Sequence, residues 1–221
     1  YTKGLLGIDQ RATLNESLVQ AALERSAWSK RIEAENFKQI QADPRLMENV
    51  RQTGRTLFGD NCAPCHGSNA QGGKGFPNLT TASWLWGGDP ETIAETIRVG
   101  INSAHPQSRS AQMMAFGRDG LLKKGELDDV VAYVRSLSDP AVAKDVPAAR
   151  IEAGKAVFAT NCVTCHGDNA KGNQELGAPD LTDNVWLHGR SEERIMRTIA
   201  NGRTDEMPAH KDVLSPAKIH L

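Results

Sequence analysis

The sequence predicts an all-α chain in which a helical N-terminal arm precedes two tandem copies of one unit. Three observations lead there. Gly54, Phe58, Asn61, Cys62, Cys65, His66, Gly67, Asn69, Ala70 and Gly72 recur one hundred positions later as Gly154, Phe158, Asn161, Cys162, Cys165, His166, Gly167, Asn169, Ala170 and Gly172, the mark of a duplicated structural unit. Helix-start signals open the segments around these residues: Asp43-Pro44, Asp89-Pro90-Glu91 and Ser191-Glu192-Glu193. All four cysteines fall in two C-x-x-C-H pentapeptides, one in each copy.

The arm spans residues 1–43. Gly4-Leu5-Leu6-Gly7 is apolar and conformationally free. Thr13-Leu14-Asn15-Glu16 has the form of a capping box, with Thr13 as N-cap, and good helix formers run on to about Ile40. Leu14, Leu18, Ala21, Trp28 and Ile32 share an interrupted apolar stripe. That stripe suits either a solvated helix packed lightly on its own domain or an arm lying against a partner subunit.

The first unit spans residues 44–139. Asp43 caps a helix with Pro44 at its first position, and the helix continues through Leu46, Val50, Gly54 and Phe58 to Cys62-Ala63-Pro64-Cys65-His66. A Gly-rich loop follows, long enough to wrap a prosthetic group. Then comes a helix through Ile93 and Ile97, and a closing helix over Gly125–Leu137. Asp139-Pro140 stops that helix, and residues 140–147 form a linker. The second unit spans 148–221 and repeats the order: Cys162-Val163-Thr164-Cys165-His166, a loop through Pro179, Leu181 and Trp186, and a helix through Ile195 and Ile199. Its last helix starts near Leu214-Ser215-Pro216 and is expected to be incomplete.

C-x-x-C-H is the attachment signature of c-type haem. Two thiols one helical turn apart reach the two vinyl groups of one porphyrin, and the adjacent imidazole lies under the iron. Other readings of the pentapeptides fit less well. A zinc site wants four ligands, and each cluster offers three on near-adjacent residues. A redox dithiol belongs in a βαβ context and has no use for the trailing histidine. A structural disulfide does not require the motif to recur with its flanks. The expected cofactors are therefore two covalently bound haem c groups, on Cys62 and Cys65 and on Cys162 and Cys165, with His66 and His166 as proximal iron ligands.

A low-spin electron carrier needs a second axial ligand on each iron, and methionine sulfur raises the reduction potential relative to histidine. Met207-Pro208-Ala209 supplies Met207 after the second unit's helix. Aligning it with Met113-Met114-Ala115 selects Met113 for the first, with Met114 as the alternative. Met47 and Met196 read as core packing. His105, His188, His210 and His220 read as surface or hydrogen-bonded residues, with His105 and His210 as minor alternatives for ligation. Pro77 and Pro179 stand where a backbone carbonyl could accept the Nδ1–H of His66 or His166. Trp84, Trp86 and Trp186 read as porphyrin-wall or core residues.

Composition bounds the function. With 26 Lys and Arg against 27 Asp and Glu, the formal charge of −1 gives no electrostatic case for binding nucleic acid. No apolar run reaches bilayer-spanning length. The chain opens on Tyr1-Thr2-Lys3, without an initiator Met, as a mature form or fragment would.

With these motifs in view, the chain resembles the dihaem subunit (subunit III) of the cbb3-type cytochrome c oxidases. The resemblance rests on several segments together: Tyr1–Gly7; Phe76-Pro77-Asn78-Leu79-Thr80 with Trp84-Leu85-Trp86-Gly87-Gly88; Gln112–Gly120; Ala178–Asp183; and Asn201-Gly202-Arg203 through Met207-Pro208. It spans essentially the whole chain. It departs at Met114, where the family often has proline, and in lacking an N-terminal transmembrane helix. The resemblance implies two class I cytochrome c domains, His66 and Met113 on the first iron, and His166 and Met207 on the second. It implies an electron carrier within an oxidase, catalytic only at the level of the complex. Electrons would come from a donor cytochrome c or a quinol-oxidising complex and pass to other oxidase subunits and the haem–copper centre that reduces O2. It places the protein at the periplasmic face of the bacterial inner membrane, held by an anchor preceding Tyr1. The rivals are a free-standing dihaem shuttle of cytochrome c4 type, a dihaem peroxidase, and a gas-sensing haem domain.

Overall fold

The computed structural model describes residues 9–221; the expectation for Tyr1–Gly7 lies outside them. The described residues form eleven helices: α1 (Gln10–Ala34), α2 (Phe37–Ala42), α3 (Pro44–Asn61), α4 (Ala63–His66), α5 (Pro90–Val99), α6 (Lys124–Ser138), α7 (Pro140–Asp145), α8 (Ala148–Asn161), α9 (Val163–His166), α10 (Glu192–Asn201) and α11 (Pro216–Ile219). Among them only isolated β-bridges occur, so the all-α class holds.

The chain divides into two compact units. One joins the residues up to Leu57 with Leu214–Leu221, and the other is Phe58–Val213.

In the first of these units, α1 starts earlier than the capping-box reading places it. The Asp9 carboxylate accepts from the backbone N–H of Arg11 and Ala12, so Asp9 is the N-cap. The single helix expected to Ile40 breaks at Glu35-Asn36, because Asn36 and Gln39 form their own capping box and start α2. Asp43 caps α3 as expected, accepting from Arg45 N–H and Leu46 N–H. Its other carboxylate oxygen lies 2.7 Å from Arg31, which also holds Glu35. Ile32, Ile40 and Leu46 form the buried core here, with Trp28, Met47, Val50 and Leu221 packed on it. Met47 is core packing, as its helical position suggests. Leu14, Leu18, Val19 and Leu23 of α1 are exposed.

In Phe58–Val213 the core is a cluster of Leu122, Leu127, Val130, Val131, Val134, Phe158, Ala170, Ile195 and Ile199. It forms where α6 packs on α8 and α10. The α6–α8 crossing is close because Gly154 has no side chain: a β-carbon there would collide with the Asp129 carbonyl and crowd Tyr133. The Tyr133 and Phe158 rings meet edge-on, with centroids 5.4 Å apart. Met196 packs against the cluster and is likewise core. The linker expected over 140–147 contains a helical turn, α7, started by the Asp139 carboxylate accepting from Ala141 N–H.

Candidate functional site: two haem hooks

Each C-x-x-C-H folds as the same short helical turn. In α4 the N–H of Cys65 and of His66 both donate to Cys62 O, at 3.2 and 2.9 Å, and α9 repeats these bonds around Cys162 at the same lengths. Cysteines three apart on a helical turn lie on one face, which two thioethers to one porphyrin require. No disulfide joins any of the four cysteines. Burial, reinforced by Cys165, pushes the Cys162 thiol up to about 11, and burial with Cys65 raises Cys62 in the same sense. Such thiols stay protonated at neutral pH, unlike the activated thiolate of a redox dithiol. Among the described residues no group of three or more His, Cys, Asp or Glu side chains is gathered as a metal site.

The histidines are held by the loop carbonyls the sequence suggests. His66 Nδ1 lies 3.1 Å from Pro77 O, and His166 Nδ1 lies 3.1 Å from Pro179 O. A carbonyl only accepts, so Nδ1 carries the proton and Nε2 keeps its lone pair for a metal. Burial pushes the His166 pKa down, with the Pro179 bond acting in the opposite sense, which favours the neutral imidazole that can ligate.

The loops that bring these carbonyls round are built alike. Gly72 N–H donates to His66 O and Gly172 N–H to His166 O. Both glycines have positive φ, and a β-carbon on either would strike the backbone carrying the proline carbonyl. Ala70 and Ala170 sit at φ 58° and 57°, a costly conformation for alanine. Each is held there by donating to Gly67 O or Gly167 O and accepting from Leu79 N–H or Leu181 N–H. Paired thiols on one face, a fixed imidazole tautomer and a loop forced around them fit covalent haem in both copies.

The methionines are placed as follows. Met113 packs against the buried cluster, alongside Cys162, Val163, Leu181 and Trp186. Met114 is 55% exposed. Met207 is half-buried, and its N–H donates to Ile101 O at 2.9 Å while Ile101 N–H donates to Met207 O at 2.8 Å. Of the two histidines considered as alternatives, His105 Nδ1 accepts from Gln107 N–H, whereas His210 Nδ1 is buried with no hydrogen-bond partner among the described residues; His188 Nε2 lies 2.8 Å from the Asp205 carboxylate. Trp186 donates to Asp183 O and lies against the core. Trp86 instead stacks under the Arg109 guanidinium at 5.0 Å and fills the space over Gly177. The role of Arg109 and Trp86 in joining the loops has no signature in the sequence.

The cytochrome c family model matches residues 52–138, and the model for cytochrome C oxidase, cbb3-type, subunit III matches residues 149–220. The chain is 47% identical over 218 residues to the cbb3-type cytochrome c oxidase subunit FixP of Bradyrhizobium sp. (strain ORS 278), covering 99% of this chain and 74% of the relative. The chain belongs to the FixP/CcoP family of cbb3-type oxidase subunits. The FixP of Azorhizobium caulinodans is 44% identical over 219 residues, covering 99% and 73% of the two chains. The CcoP of Azospirillum brasilense is 38% identical over 226 residues, covering 99% and 75%. As a FixP/CcoP chain this is a dihaem electron-transfer subunit, an electron carrier within an oxidoreductase. Cys62 with Cys65, and Cys162 with Cys165, attach its two haem c groups. No described helix is long and apolar enough to cross a membrane.

Proposed function

We propose that this FixP/CcoP chain is the electron-entry arm of its oxidase. It accepts electrons from a donor cytochrome c at the periplasmic face of the inner membrane and delivers them toward the haem–copper centre of a partner subunit. It is held at the membrane by a segment preceding Tyr1. Bound haem supplies the one-electron iron couple; the rest is the work of this chain's residues. Cys62, Cys65, Cys162 and Cys165 fix the porphyrins. His66 and His166 supply proximal nitrogens, and Met113 and Met207 supply distal sulfurs that favour the reduced iron.

The observation that carries this reading is the duplicated hook, each with its imidazole Nδ1 committed to a proline carbonyl at 3.1 Å. An imidazole locked in this way holds one coordination geometry through oxidation and reduction. The test is a redox titration of the haem-loaded protein followed by absorption spectroscopy. Two low-spin centres with the sulfur-to-iron(III) charge-transfer band are expected, together with rapid oxidation by the remaining oxidase subunits. A high-spin centre that turns over peroxide would overturn the reading in favour of a peroxidase.

A further inference from the structure

We propose that Trp86 of the first repeat is a positioning residue for the second repeat's haem: by packing on Gly177 it holds the Pro179 carbonyl on the Nδ1–H of His166. This rests on His166 as the proximal ligand, put forward above, and adds to it a side chain from outside the second repeat.

The two repeats differ between the hook and the proline carbonyl. Gly72 and Pro77 are five positions apart, and Gly172 and Pro179 are seven. The first repeat closes this stretch with a tight turn, in which Gly73 N–H donates to Phe76 O and Phe76 N–H to Gly73 O, both at 3.0 Å. In the second repeat the same pair of bonds joins Asn173 and Ala178, at 2.9 and 3.0 Å, around a turn two residues longer. The longer turn carries exposed Gln174, Glu175 and Leu176 at its tip, and it reaches the tryptophan loop of the first repeat. Gln174 Nε2 donates to Trp84 O at 3.0 Å. Gly177, at φ 63°, lies so close to the Trp86 indole that a β-carbon on it would come within 2.5 Å of Cζ2. Only glycine lets backbone and ring approach this closely in that conformation.

The indole is itself held in place. The Arg109 guanidinium stacks on it, 5.0 Å from the ring centroid, and is anchored to α5 by Nε donating to Thr96 Oγ1 at 2.9 Å. Ser83 Oγ donates to the Asp183 carboxylate at 2.7 Å, and Gly75 N–H donates to Leu187 O at 3.2 Å, so the same two loops are tied beside the ring. Pro179 is exposed, and its carbonyl takes its position from the chain on either side. On one side Leu181 N–H is bonded to Ala170 O at 2.8 Å. On the other, two residues before Pro179, the backbone rests on Trp86. A carbonyl that accepts from a ligating histidine fixes the ring and strengthens it as a donor, so what fixes the carbonyl also tunes the ligand. The second repeat does not return the contact. His188 stands at the position equivalent to Trp86, and its Nε2 lies 2.8 Å from Asp205 instead. The coupling runs one way, from the first loop to the second histidine.

The experiment reads the two proximal histidines separately, by NMR of the isotopically labelled, haem-loaded, reduced protein. Trp86→Leu is expected to speed exchange of the His166 Nδ1–H with water about tenfold, the lower end of what loss of an outer-shell contact does at a metal site. The His66 Nδ1–H is expected to exchange as before. A redox titration of the same protein is expected to show one of its two centres moved to higher potential, as a weaker imidazole donor requires. Trp86→Phe keeps a flat ring over Gly177 and is expected to restore both readings most of the way. Unchanged exchange at His166, equal acceleration at both histidines, or a Trp86→Phe protein no different from Trp86→Leu overturns the proposal. Should Trp86→Leu fail to retain haem, Gln174→Ala decides. It removes only the bond to Trp84 O and is expected to speed exchange at His166 alone; no change there overturns the proposal. Failure of histidine ligation itself is separately visible, as absence of ring-current-shifted His166 imidazole signals before any substitution.

Discussion

Gly154 of α8 lies directly against the main-chain carbonyl of Asp129 in α6, with no room between them for a methyl group. Two helices approach this closely only where one presents bare backbone. The contact sets the depth at which Tyr133 and Phe158 meet beside the second haem hook. Gly154→Ala is therefore expected to lower unfolding stability by about 3 kcal/mol, read from urea denaturation of the haem-loaded protein. Gly59 of α3 is the control: a β-carbon there meets nothing within 4 Å. Gly59→Ala is expected to be neutral or to add up to about 1 kcal/mol from helix propensity.

Met113 and Met114 are neighbours with different surroundings, one packed on the core and the other 55% exposed. Met113→Leu is expected to remove about half of the sulfur-to-iron(III) band and convert one centre to a form that binds CO when reduced. Met114→Leu is expected to leave the spectrum unchanged. A spectrum altered by Met114→Leu alone reverses the assignment.

Gly172 sets the loop that returns the Pro179 carbonyl to His166. Gly172→Ala should displace that carbonyl, loosening the imidazole and reducing its donor strength. The expected outcome is a raised potential or incomplete haem attachment at the second centre, with the first unaffected. Spectroelectrochemistry and mass spectrometry of the intact protein measure the two effects.

Arg31 hydrogen-bonds Asp43 and, with the N–H groups of Leu46 and Arg45, holds its carboxyl below the usual carboxylate range. A folded-state pKa below the unfolded value of about 4 means that the unfolded chain binds the proton more readily. The stabilisation is complete above that value and is lost as pH falls through the lower, folded one. The protection factors of residues 28–46, which correct for the intrinsic pH dependence of exchange, should therefore fall on acidification through this window. In Asp43→Asn, which keeps an N-capping oxygen, protection should be lower at neutral pH and lose most of that pH dependence. Equal pH dependence in both proteins would count against the Arg31–Asp43 pair as its source.

Much of this architecture is legible in the sequence because its causes are local. The C-x-x-C-H turns, the Asp43-Pro44, Asp89-Pro90 and Ser191 helix starts, and the proline carbonyls behind His66 and His166 are each fixed by residues close in the chain. Local competition explains the misplaced boundaries too. Asp9 outcompetes Thr13 as N-cap, and Asn36 with Gln39 interrupts what helix formers alone would continue. The packing of α6 on α8 and the bonds of Met113 to Arg203 are of another kind. Two homologous halves present near-equivalent docking edges, so residue pattern alone does not say which methionine loop meets which helix end. Gly100 and Gly202 leave room for Met207 O and Met113 O, but a glycine after a helix reads equally well as an ordinary C-terminal cap.

The antiparallel bridge between Ile101 and Met207 also imposes an order in time. During synthesis the first pentapeptide and α5 emerge well before the segment that will bond to the end of α5. The Met113 loop, in contrast, already exists when α10 is made. The two halves are alike in space and unlike in biogenesis. The earlier one waits with an open edge, and the later one closes on a partner that is already there. A ribosome stalled between Asn173 and Arg203 would thus leave the older half unfinished, although every residue of its own repeat had been translated.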